Sequence, residues 1–238
     1  MGKTAYIFDV DLTLLDTARL KDDLPKMCAS AFPGVSEELF RDKYRQFKEE
    51  NDGRVDMPEI MQNIAKSTGV DEAVTSRMIG WLETIPFRDY MYDPDNRLIR
   101  ELGPDNVFIQ TRGDNKYHRG KIENCGFNGI LPDGHVMIAT DKTEAEIGYL
   151  TGQLHGQGFS RLVFVNDNIQ ELRTAYEATS GDATCVLVDQ GPYADRSRLD
   201  GASFPYMIAD NHSELREILM PLGKNPETGS AAGSERGF

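Results

Sequence analysis

From residue 98 onward, short apolar runs alternate with amphipathic segments, and this alternation restricts the chain to one class of fold. Residues 107–109, 136–139, 162–165 and 184–188 are dominated by apolar side chains and read as buried strands. Helices fall between them. One covers 117–124, one carries Ile147, Leu150 and Leu154 behind a Thr143/Glu146 capping box, and one runs from Asn168 with Leu172, Ala175 and Ala178 inward. A short helix at 96–102, stopped by Gly103-Pro104, precedes them, and an edge strand at 206–209 with a helix at 213–220 follows. Such repetition predicts an α/β core, a doubly wound Rossmann-like parallel sheet. The run Ala5-Tyr6-Ile7-Phe8 adds a strand near the N-terminus.

Residues 17–93 show helical patterns only. Leu20, Leu24, Met27, Cys28 and Ala31 keep a helical period, with Pro25 predicting a kink or a late start. Ser36 caps a helix bearing Phe40, Tyr44 and Phe47. Asp56 and Glu59 form a capping-box pattern, with Pro58 in the first turn, ahead of Met57, Ile60, Met61 and Ile64. Asp71 opens a fourth helix with Val74, Met78, Trp81 and Leu82 inward. The expected organisation is an α/β core of residues 1–16 and 94–222, an inserted all-helical module at 17–93, and a tail at 223–238 too poor in apolar residues to fold.

A net charge of -13 and a pI near 4.8 argue against a nucleic-acid backbone or an anionic membrane as partner. Three scattered cysteines, Cys28, Cys125 and Cys185, suit a reducing compartment and read as small buried hydrophobes. With no leader-like segment before the first strand and no apolar run of membrane-spanning length, a cytoplasmic protein is expected.

The polar groups that matter follow the strands. Past Phe8 come Asp9 and Asp11; past Ile109 come Thr111, Arg112 and Gly113. The third strand ends near Asp141 and Lys142, and the fourth runs into Asn166-Asp167-Asn168, with Glu171 one turn on. In a parallel sheet such ends lie side by side around one crevice. Carboxylates at Asp9, Asp11 and Asp167 imply a divalent cation, Mg²⁺ above all, because close anions ionise together only when neutralised. Lys142, Thr111 and the backbone near Gly113 suit the oxygens of a phosphoryl group. Asp9-Val10-Asp11 by itself reads equally well as an Asx-rich turn, and Lys142 by itself as a solvated helix-start lysine.

The ordered set Asp9-Val10-Asp11-Leu12-Thr13, Thr111, Lys142 and Asn166-Asp167 resembles the haloacid dehalogenase superfamily, mainly its phosphatase branch, over about residues 6–219. The resemblance implies a helical cap at 17–93 and hydrolysis of a small phosphorylated metabolite. Asp9 would be the nucleophile and Asp11 the general acid and base, its backbone carbonyl also helping to hold Mg²⁺. Thr111 and Arg112 would bind substrate, Lys142 would neutralise Asp9 and the phosphate, and Asp167 would complete the metal shell. Three departures stand out: Leu12 where many members have Gly, Thr143 where proline commonly follows the lysine, and Asn166 where an acid is common in one variant.

Rival assignments also belong to the sequence. Lys116 and Lys121 lie on the preceding crossover and rank below Lys142. Arg112 has Asp114 or the cap as a nearby partner, and Glu171 reads equally as an acceptor for Lys142 or a metal-bound water and as the capping-box partner of Asn168. The four histidines (His118, His135, His155 and His212), with no metal-ligand spacing, read as surface or satisfied structural residues. A phosphomutase would use the same residues, and a phosphonatase would add a cap lysine, Lys21 or Lys26. A dehalogenase has no use for Asp11, and a phosphometabolite-binding protein without activity has no use for an intact Asp9/Asp11 pair. Whether the chain is a monomer or a homodimer is not encoded in any of these motifs.

Overall fold

The computed structural model describes residues 2–51, 55–139, 141–195 and 204–223. Six parallel strands, β1 (Lys3–Phe8), β2 (Val107–Arg112), β3 (Val136–Ala139), β4 (Phe159–Asn166), β5 (Thr184–Val188) and β6 (Met207–Ala209), form one sheet ordered β3-β2-β1-β4-β5-β6. β1 is central, with Ile7 in register with Phe108 of β2 and Phe164 of β4. After β3 the chain crosses to the far side of β1, so the strand order reverses there, and the crevice at that switch point lies at the carboxyl end of β1.

The alternation of side chains along β1 explains its buried character. Tyr6 and Phe8 enter one core, shared with α5 (Arg97–Leu102), α6 (Asn115–Asn124) and α9 (His212–Leu222). Ala5 and Ile7 enter the other, beneath α7 (Glu144–Gly156) and α8 (Ile169–Ala178). A strand covered on both faces has no polar alternation, hence its continuous apolar run.

Between β1 and β2 lie α1 (Thr17–Ala31), α2 (Glu37–Glu50), α3 (Met57–Thr68) and α4 (Glu72–Trp81), with no strand among the described residues. Asp16, Ser36, Asp56 and Asp71 each accept an N-terminal amide of their helix. Asp56 supplies only the cap half of its expected box, whereas Thr143 and Glu146 complete both halves. Pro25 starts no helix; α1 runs straight through it, because buried Leu20, Leu24, Pro25 and Cys28 hold that face. The two ends of this segment are stitched together: Asp16 N–H donates to the Tyr90 carbonyl at 2.8 Å, and Tyr92 N–H to that of Leu14 at 3.2 Å.

β2 runs three residues beyond the apolar stretch that predicts it, since Gln110 and Thr111 are buried despite their polarity. The expected tail lies outside the described residues from 224 on. No helix among the described residues is long and apolar enough to cross a membrane. All three cysteines are free and buried.

Candidate active site

The loop after β1 is a tight coil. The amides of Thr13, Leu14 and Leu15 all turn back to the Val10 carbonyl, at 3.3, 2.9 and 2.9 Å. Leu12 sits at φ 60 within it, the left-handed conformation that glycine adopts freely and that costs other residues roughly 1–2 kcal/mol. Burial of its side chain, packed against Gly191, offsets that cost: an added Cβ at Gly191 would come within 2.8 Å of Leu12 Cδ1. The departure at Leu12 thus keeps the backbone form that a glycine would take.

Asp9 is anchored by its amide on the Val165 carbonyl at 3.0 Å and accepts from Lys142 Nζ through Oδ1 at 2.5 Å. Lys142 also donates to Glu171 Oε2 at 2.7 Å, and Asn166 Nδ2 donates to the same oxygen at 2.9 Å. Glu171 is therefore no member of a capping box. Asn168 alone caps α8, through the Gln170 amide, while Glu171 holds Lys142 from behind. Asp167 N–H donates to Thr13 Oγ1 at 3.0 Å, which locks the first and fourth strand ends together. Its Oδ2 is buried with no hydrogen-bond partner among the described residues.

Asp11 turns elsewhere. Lys121 Nζ reaches both of its oxygens at 2.9 and 2.8 Å, and Thr17 Oγ1 donates to Oδ1 at 2.7 Å. Lys142 is the lysine on Asp9, as its rank above Lys121 implies, but Lys121 also belongs to the site: both are buried there, one on each of the first two aspartates. Arg112 pairs with Asp141 at 3.1 Å, not with Asp114, whose carboxylate caps α6 through the Tyr117 amide. Of the two roles open to the histidines, His118 takes the structural one. It is buried, with Nδ1 3.2 Å from Thr111 Oγ1. Gly113 makes room for it, because at φ 144 an added Cβ would lie 2.3 Å from His118 Nε2.

All the residues singled out in the sequence, Asp9, Asp11, Thr111, Arg112, Lys142 and Asp167, line one pocket of about 840 Å³, roofed by α1, α2 and α3. Among the described residues, no three His, Cys, Asp or Glu side chains come together as a ready-made metal cage. Mg²⁺ asks for less, since it keeps several waters and takes one or two carboxylates. The donor set fits such an ion: four carboxylates (Asp9, Asp11, Asp167 and Glu171) meet only two lysines, Lys121 and Lys142, at the strand ends, and Asp167 Oδ2 has no hydrogen-bond partner among the described residues.

The protonation equilibria follow from this geometry. Burial pushes Asp9 up to about 6 against the pull of Lys142, and burial with repulsion from Asp9 and Glu171 pushes Asp167 up to about 8. Burial would raise Asp11 too, but Lys121 and the Thr17 hydroxyl outweigh it and hold the carboxyl well below the usual range. Burial, together with the nearby Lys121, lowers His118 to about 3, so its imidazole is neutral.

A folded Asp167 that keeps its proton up to about 8 binds more protons than the unfolded chain. Stability of the metal-free protein is therefore greatest at the acid end of the window between the ordinary carboxyl range and pH 8, and falls as pH rises through it. Melting curves in chelator should show Tm declining from pH 5 to 8. Asp167→Asn should flatten that slope and remove any rise in Tm caused by Mg²⁺.

No protein-family model matches the sequence, and no curated protein matches it. Solved structures do match. A haloacid dehalogenase-like hydrolase from Burkholderia xenovorans aligns with TM-score 0.69 and 21% identity over 92% of this chain and 97% of its own. The HAD-hydrolase YfnB from Bacillus subtilis, bound to magnesium, aligns at 0.58 and 13% over 92% and 98%. L-2-haloacid dehalogenase from Xanthobacter autotrophicus aligns at 0.55 and 17% over 97% and 100%. By its sheet order and these matches, the chain has the fold of the haloacid dehalogenase-like hydrolases.

Proposed function

We propose that the protein is a Mg²⁺-dependent phosphohydrolase that cleaves a small phosphate monoester through an aspartyl-phosphate on Asp9. The observation that carries this reading is the charge balance of the site. Crowding of Asp9, Asp167 and Glu171 around one lysine, which holds the proton on Asp167, and an Asp167 Oδ2 with no hydrogen-bond partner among the described residues would both be relieved by one divalent cation. Asp9, Asp167 and the backbone carbonyl of Asp11 would hold it; that a neighbour of the same fold is bound to magnesium supports the choice of ion. When bound, the ion supplies neutralisation of the phosphate that approaches Asp9.

The chain's own groups then divide the work. An Asp9 oxygen attacks phosphorus, the Asp9–phosphorus bond forms, and the bond to the leaving oxygen breaks. Lys142 Nζ, fixed between Asp9 and Glu171, stays charged and balances the carboxylate and the phosphoryl oxygens. With its proton on Nδ1, neutral His118 donates to Thr111 Oγ1 and leaves the Thr111 hydroxyl free to donate to phosphate. In the second step water attacks phosphorus, the bond to Asp9 breaks, and Asp11 takes the water proton. Lys121 and Thr17 keep Asp11 ionised, the form this step needs. For Asp11 to protonate the leaving oxygen first, its pair with Lys121 must open. Residues 17–93 serve as the cap that covers the crevice, and the substrate is a cytoplasmic phosphorylated metabolite rather than nucleic acid or membrane.

The Asp11–Lys121 pair favours a second reading, dehalogenation, because displacement of halide at carbon by Asp9 needs no proton donor. One panel separates them. Phosphate esters and 2-haloacids are incubated with and without Mg²⁺, and phosphate and halide are measured. Mg²⁺-dependent phosphate release supports the phosphohydrolase; halide release indifferent to Mg²⁺ contradicts it.

A further inference from the structure

Four cations line the pocket, and three are already engaged: Lys142 by Asp9 and Glu171, Lys121 by Asp11, and Arg112 by Asp141. The fourth, Lys21 of α1, has no hydrogen bond or ion pair among the described residues. Its ammonium is carried by an inserted helix, so it belongs to the roof over the strand-end carboxylates. Tyr44 of α2 lines the same pocket, and its hydroxyl likewise makes no hydrogen bond among the described residues. Around them the roof is apolar: Leu20, Leu24, Phe47 and Met57 line it and are buried. Desolvation holds the Lys21 ammonium below the usual lysine range, so an anion placed against it gains more than it would in water. The acids that act on Lys21 are Asp11 and Asp167 at the strand ends; of the other acids lining the pocket, Asp56 caps α3, Asp114 caps α6 and Glu59 of α3 is exposed.

We propose that Lys21, with the Tyr44 hydroxyl lining the same pocket, binds a second anionic group of the substrate, a carboxylate or second phosphate at the end remote from the scissile ester. The inference rests on the phosphohydrolase reading for its reaction but not for its binding. A substrate with anions at both ends bridges the strand-end site and the roof, and the apolar wall carries the short carbon chain between them. Binding energy gathered at the remote end is what such a roof contributes to selectivity.

The test compares 3-phosphoglycerate with glycerol 3-phosphate, and fructose 1,6-bisphosphate with fructose 6-phosphate, in wild-type, Lys21→Met, Lys21→Arg and Tyr44→Phe proteins. In each pair the compound with the second anion should show kcat/KM at least about tenfold higher, carried by KM, because a hydrogen bond to a charged group is stronger than one between neutral groups. Lys21→Met should erase that ratio, Lys21→Arg should restore much of it, and Tyr44→Phe should reduce it. The carboxylate and bisphosphate arms tell which anion is read. Calorimetric binding of the same four compounds to the Asp9→Asn protein runs in parallel. Equal turnover or binding within both pairs, or a preference untouched by Lys21→Met, overturns the subsite. Absence of turnover with the binding preference intact, and lost in Lys21→Met on that background, overturns the hydrolase reading alone and upholds the subsite.

Discussion

Asp9→Asn should yield a folded protein that binds phosphate esters and turns over none of them, with kcat lower by about 10⁴-fold or more. The side chain keeps its shape and loses the oxygen charge that attacks phosphorus. Stability should change little for two opposing reasons. Lys142 loses its charged partner at 2.5 Å but keeps Glu171 at 2.7 Å. Meanwhile the repulsion that Asp9 exerts on buried Asp167 disappears. A thermal melt within a few degrees of wild type, beside phosphate release at background, is the expected pair of observations. Substantial turnover in this variant would mean that another group attacks phosphorus.

Lys142→Met should damage both the fold and the chemistry. Its ammonium, only 4% exposed, sits between Asp9 and Glu171, with Asn166 completing the hydrogen bonds around Glu171. Methionine matches the length but leaves two carboxylates without their shared cation, beside Asp167, whose Oδ2 has no hydrogen-bond partner among the described residues. Breaking a buried pair in this way costs roughly 3–5 kcal/mol. For a chain of this size that is a fall in Tm on the order of 10 °C. Lys116→Met provides the contrast: Lys116 pairs with Glu83 in the open, at 76% and 44% exposure, so Tm should hardly move. Equal effects of the two variants on Tm would refute the view that Lys142 is the charge keystone of the site.

The sheet was legible because its strands are covered on both faces, and continuous apolar runs such as Tyr6-Ile7-Phe8 have few other uses. Asp9, Thr111, Lys142 and Asp167 were legible because a parallel sheet carries its strand ends to one edge whatever the distance in sequence. Lys121 was harder to see. It belongs to a helix of low apolar content, and its importance depends on the buried face that Tyr117, His118, Lys121 and Ile122 form together. That spacing is a helical stripe, and a lysine and a histidine within a stripe are the signal that it faces a site rather than a core. For Glu171 the sequence left two readings open, a capping-box partner of Asn168 and an acceptor for Lys142, and packing decides for Lys142. Where the Asp11 carboxylate points was beyond pattern altogether. It depends on Thr17 and Lys121, 6 and 110 residues away, and only packing decides between them and a cation.

The central claim is that the Asp9 carboxylate attacks phosphorus, and a covalent trap tests it most directly. Asp11→Asn protein, slowed in the hydrolytic step, is mixed with Mg²⁺ and the best phosphate ester from the panel, quenched in acid and analysed by peptide mass spectrometry. The expected result is one phosphoryl group on the peptide containing Asp9, absent when Asp9→Asn is combined with the same variant. Turnover with no phosphorylated peptide, or the phosphoryl group on a residue other than Asp9, would contradict the account.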